Sequence, residues 1–62
     1  MKKYILKNLE TQELIELSLI DILKDINRDR SQYWVSYDEK DWIEGLNEFT
    51  EFKLIGEKYE RN

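Results

Sequence analysis

The chain has 62 residues and a formal net charge of −4, contains neither cysteine nor histidine, and is 40% hydrophobic, 13% aromatic and 39% charged. That length supports one hydrophobic core, so residues 1–62 are read as a single small domain held by packing, without disulfides or a zinc site. The excess of acid disfavours phosphate-driven nucleic-acid binding, and apolar runs of two or three residues leave nothing to span a membrane.

Residues 3–7 alternate as a strand, with Tyr4 and Leu6 on one side and Lys3, Ile5 and Lys7 on the other. Residues 13–17 read as a second strand, and residues 8–12 between them as a hairpin turn. That turn has no glycine for a left-handed position, which falls to Gln12 or Asn8. Ser18 and Asp21 then have the spacing of a helix N-cap, with Leu17 and Ile22 placed as a hydrophobic staple. Leu19, Ile22, Leu23 and Ile26 form the apolar stripe of this first helix, which fades where Asn, Asp and Ser collect over residues 27–31. Residues 31–37 are read as a loop with some extended character.

Asp38 and Asp41 repeat the cap spacing, and Tyr37 with Trp42 the staple. The second helix presents Trp42, Ile43, Leu46 and Phe49 to the core, and places Asp38, Glu39 and Asp41 where the helix dipole favours negative charge. Gly45 inside it costs up to about 1 kcal/mol relative to alanine, which points to close approach of a backbone or a bulky ring. Residues 51–55 form a third strand, with Phe52 and Leu54 on one face, Lys53 and Ile55 on the other, and Tyr59 continuing the second face. Gly56 marks a bulge or a strand end. The order β-β-α-α-β gives an α+β fold, a three-stranded antiparallel sheet with both helices packed on one face.

Catalysis has little to work with. Without His or Cys the common nucleophile–base pairs are excluded, and Ser18, Ser31 and Ser36 serve as caps and turn formers. The carboxylate pairs Asp25 with Asp29, and Asp41 with Glu44 or Glu48, lack an environment that would shift a pKa, so they read as solvated helix faces. No enzyme, cofactor or metal is expected.

Binding residues are easier to nominate. Arg28 and Arg30 suit a partner carboxylate or phosphate, although the plainer reading is a helix C-terminus where they complement the dipole and pair with Asp25 or Asp29. Tyr33, Trp34, Tyr37 and Trp42 are more large rings than so small a core easily absorbs. Trp42 belongs to the core, while Trp34 fits either a core edge or an interface. Charge is segregated: residues 1–7 carry three lysines and no acid, whereas residues 38–51 carry Asp38, Glu39, Asp41, Glu44, Glu48 and Glu51 against one lysine.

Three stretches carry a resemblance. Tyr4-Ile5-Leu6-Lys7-Asn8-Leu9-Glu10-Thr11, Ile26-Asn27-Arg28-Asp29-Arg30-Ser31, and Trp42-Ile43-Glu44-Gly45-Leu46 with Glu51-Phe52-Lys53-Leu54 resemble small uncharacterised accessory proteins encoded by phages and prophages of low-GC Gram-positive bacteria. Some such proteins inhibit host or defence proteins, restriction and CRISPR systems included, by direct binding. The resemblance implies the host cytoplasm as the place of action and carries over no functional residue.

The leading expectation is a small acidic protein that binds and modulates a host or phage protein through Arg28, Arg30, Tyr33, Trp34 and Tyr37. A self-associating protein that uses the outer sheet face, with Ile5, Ile15 and Ile55, is one alternative. A DNA mimic that uses the acidic second helix is the other.

Overall fold

The computed structural model describes residues 2–28 and 34–59. Its elements are β1 (Lys2–Asn8), β2 (Leu14–Leu17), α1 (Leu19–Ile26), α2 (Glu39–Phe49) and β3 (Phe52–Tyr59). The strands form one antiparallel sheet in the order β2-β1-β3, so β1 is central. Both helices lie on one face, the expected α+β arrangement.

The core follows from that placement. Tyr4 and Leu6 point from β1 into a cluster with Ile22, Leu23 and Ile26 of α1 and Trp42 and Leu46 of α2. Trp42 is 1% exposed and its ring meets Tyr4 edge-on, with centroids 4.9 Å apart at 72°. Such a contact adds roughly 0.5–1.5 kcal/mol to the burial itself. Truncating Leu6 or Trp42 to alanine would cost about 3 kcal/mol or more, which rivals the whole stability expected of a core this small.

Local chemistry explains where the elements begin and end. The Ser18 hydroxyl accepts the Asp21 N–H and donates to the Asp21 carboxylate, closing the N-terminus of α1 reciprocally. The Asp38 carboxylate accepts from the Lys40 N–H, one position earlier than the expected capping bond. Asp41 accepts the Ser36 hydroxyl proton instead. Thr50 ends α2: its hydroxyl donates to Leu46 O and accepts from Phe52 N–H, turning the chain straight into β3. The hairpin divides its cost between two residues. Gln12 takes the left-handed conformation at φ 67°, and the Asn8 side chain accepts from the N–H groups of Glu10 and Thr11.

Of the two readings of Gly56 the bulge holds rather than the strand end, and two other expectations about the sheet are corrected. β3 does not stop near residue 55. Leu6 pairs with Leu54 but Ile5 with Gly56, so Ile55 is an extra residue in a bulge and the strand resumes beyond it. The extra residue reverses the alternation. Tyr59 therefore lies opposite Lys2 on the helix-side face, not on the face of Lys53 and Ile55. There the Lys2 ammonium sits 5.0 Å from the Tyr4 ring centroid, 5.7 Å from that of Tyr59 and 3.0 Å from Glu57. Its hydrogen bond with Glu57 raises the Lys2 pKa. Finally, Ile15 pairs with Leu6 and packs on the core, so the outward residues of β2 are Leu14 and Glu16.

The outer face thus carries Lys3, Ile5 and Lys7 from β1, Leu14 and Glu16 from β2, and Lys53, Ile55 and Lys58 from β3. Lys3 stands opposite Lys58, and Lys7 opposite Lys53. Facing like charges oppose folding. Lys3→Glu and Lys7→Glu are each expected to raise stability by roughly 0.2–0.5 kcal/mol at low salt, and less at high salt, seen as a higher urea midpoint with an unchanged slope.

Candidate functional site

The helical spacing of α1 creates two adjacent stripes. Leu19, Ile22, Leu23 and Ile26 face the sheet. Ile20, Leu23, Lys24 and Asn27, three and four residues apart, face sideways toward residues 34–37. Between this second stripe and Trp34, Val35 and Tyr37 lies an apolar groove of about 200 Å³. Its rim is unusually bare: Ile20 is 64% exposed, Val35 70% and Tyr37 69%.

Trp34 is held rigidly at this groove. Asn27 grips it as a strand neighbour would, its amide donating to Trp34 O at 2.9 Å while its carbonyl oxygen accepts the Trp34 N–H. Gly45 makes room for the ring. A Cβ there would stand 3.2 Å from Trp34 Cε2 and 3.4 Å from Ile26 Cγ2, which is the bulky-ring approach expected of this glycine. Phe49 lies on another side, its ring centroid 6.2 Å from that of Trp34. Trp34 therefore belongs to both readings, half-buried against the core and lining the groove.

The remaining nominated residues fall into separate places. Tyr37 is expected to staple onto Trp42, yet it is mostly exposed at the groove rim. Arg30 and Tyr33 lie outside the described residues. Arg28 donates to the Glu51 carboxylate at 3.1 Å, tying the end of α1 to the start of β3. That bond, rather than one to Asp25, is its ion pair among the described residues. It holds the Glu51 carboxyl below its ordinary pKa. Asp25 is pushed up, chiefly by burial, against the opposing pull of Arg28. Asp38, Glu39, Asp41, Glu44 and Glu48 are exposed along α2, whereas Glu51 is half-buried.

Ile20, Val35 and Asn27 are groove residues that the sequence reading did not nominate. The available signal was Ile20, an isoleucine one position off the core stripe of α1. Nothing near Asn27 in sequence marks its role, because its partner is seven residues away. Among the described residues, no group of three or more carboxylates is placed to hold a metal ion, and no helix is long and apolar enough to cross a membrane.

Two outcomes test this geometry. Gly45→Val is expected to force the Trp34 ring off α2, red-shifting tryptophan emission and costing about 1–3 kcal/mol. Arg28→Ala is expected to raise the carboxyl titrations of both Glu51 and Asp25 in NMR. The sign for stability follows. A lowered Glu51 pKa stabilises the fold above the ordinary carboxylate range, and that stabilisation is lost as pH falls through the lowered value. The raised Asp25 pKa acts oppositely, favouring the fold at low pH and losing that effect as pH rises through it. Arg28→Ala should therefore cost at most about 1 kcal/mol near neutrality, and the cost should vanish once Glu51 is protonated.

No protein-family model, curated protein or solved structure matches the chain, so a functional reading rests on the groove, its frame and the charge around it.

Proposed function

We propose that this chain is a small phage-type protein that acts by binding another protein, seating an apolar side chain of that partner in the groove between α1 and residues 34–37, and so modulates or inhibits it in the host cytoplasm. The observation that carries this reading is the trio of exposed apolar residues, Ile20, Val35 and Tyr37, set around a floor that includes Leu23 and Trp34. Large aromatic anchors in apolar pockets supply most of the energy at protein interfaces. The size of the groove argues in the same direction. Pockets for free small molecules run to about 300–1,000 Å³, so about 200 Å³ better suits one or two side chains delivered by a protein.

The polar groups at the groove are suited to orientation rather than catalysis. Lys24 brings an ammonium to the rim for a carboxylate on the partner, and the Asn27 amide is engaged with Trp34. Holding Trp34 in place beforehand lowers the ordering cost of binding.

Chain immobilised and exposed to lysate of a low-GC Gram-positive host is expected to retain a specific protein. Ile20→Lys combined with Tyr37→Ala, both at exposed positions, should lose it, while Lys3→Glu with Lys7→Glu on the opposite face of the sheet should keep it. The captured protein, once purified, should shift the emission of Trp34. Identical retention by wild type and groove variant would overturn the reading.

A further inference from the structure

The face of the sheet turned away from the helices carries charge that the fold itself does not use. Lys3 faces Lys58 and Lys7 faces Lys53, and each pairing opposes folding. Glu16 is the sole acid at the paired positions of this face and lies 3.8 Å from Lys58. Among the described residues, Lys3, Lys7 and Lys53 join no ion pair. The two lysine pairs stand about 13 Å apart along the strands, four residues at about 3.3 Å each. Ile5 and Ile55 lie between them, and Leu14 stands beside Lys7 on β2, with Leu14 and Ile55 substantially exposed.

The pattern selects among occupants. A two-fold dimer through this face would set lysines against lysines, so the symmetric apolar dimer is disfavoured. A bare phosphate backbone would leave the aliphatic centre uncovered, and among the described residues this face has no aromatic ring for a base to stack on. The molecule itself presents a complementary surface. Asp41, Glu44 and Glu48 are spaced by three and four residues on one side of α2, and all are exposed. They span about 10 Å of helix, close to the separation of the lysine pairs. Among the described residues none of the three joins an ion pair.

We infer that the lysine face of one copy seats the Asp41, Glu44 and Glu48 stripe of a second copy, in a head-to-tail contact. The two patches lie on opposite layers of the fold, so after one contact one copy still offers its acidic stripe and the other its lysine face. Such a contact extends into a chain or closes into a ring rather than stopping at a two-fold dimer. It is independent of the groove, which uses neither patch. Because it is mainly ionic between exposed groups, salt weakens it steeply.

Sedimentation velocity over a concentration series tests this. At about 10 mM ionic strength, where the screening length is about 30 Å, wild type is expected to reach at least the mass of two chains. At about 150 mM, where that length is about 8 Å, it should return toward monomer. Lys3→Glu with Lys7→Glu, and Glu44→Lys with Glu48→Lys, should each be monomeric alone. Both keep the fold, since the first pair converts like-charge pairings into opposite ones and the second changes exposed helix positions. Mixed in equal amounts, the two variants should associate again, because each supplies the charge that the other has reversed. Strict monomer behaviour of wild type at low salt, persistent association of either variant alone, or failure of the mixture to associate would each overturn the inference. So would capture of wild-type monomer, but not of the lysine variant, by phosphatidylglycerol vesicles without self-association, which would assign the face to lipid instead.

Discussion

The fold depends on the central strand. Among the described residues β1 alone pairs on both edges, and its Tyr4 and Leu6 are the floor on which α1 and α2 meet. Remove that floor and neither helix has an apolar surface to bury itself against. A helix of eight residues and one of eleven are too short to persist alone. Sheet and helices make two layers, and among the described residues nothing covers the other face of the sheet, which is left to solvent or to a partner. Burial on one side and exposure on the other come from the same arrangement.

How far the sequence disclosed this depends on the range of the interactions involved. Caps are short-range, and Ser18 and Asp38 mark both helix starts because capping bonds reach two or three residues. The hairpin is also local, and Asn8 and Gln12 were the right pair to suspect. Strand faces were harder. In Leu14-Ile15 two apolar neighbours compete for the inward position, and only pairing with Leu6 decides for Ile15. Simple alternation puts Tyr59 on the outer face, whereas a single bulge at Ile55 reverses every later side chain; Gly56 signals the bulge but not its effect on parity.

The groove was legible in part. Trp34 and Tyr37 were suspected because so small a core cannot absorb every ring. What composition could not supply was the frame: Asn27 gripping Trp34 across seven residues, and Gly45 admitting its ring across eleven. Gly45 shows how the levels connect. A residue that weakens α2 locally stands where its missing side chain lets an aromatic residue from the preceding segment come up against the helix. The cost in helix propensity, up to about 1 kcal/mol, is offset by burial of part of a tryptophan. Trp34 is thereby held at the edge of the core, packed against it on one side and lining the groove on the other.

The same trade recurs with charge. A surface shaped only for stability would alternate signs across the strands, as Lys58 and Glu16 do. The facing pairs Lys3 with Lys58 and Lys7 with Lys53 do the reverse, in a protein whose total charge is negative. Solubility does not call for this arrangement, since the acids of α2 already give a net charge well away from zero. Edge protection accounts for Lys53 and Lys58 on β3 but not for Lys3 and Lys7, which lie on the central strand. A repulsion that serves neither stability nor solubility is relieved when an anionic surface covers it. In the proposed head-to-tail contact, stability lost in the isolated chain would reappear as selectivity for a partner of opposite charge, and that links the sheet face to the groove: both are places where the free molecule is less stable than its composition would allow.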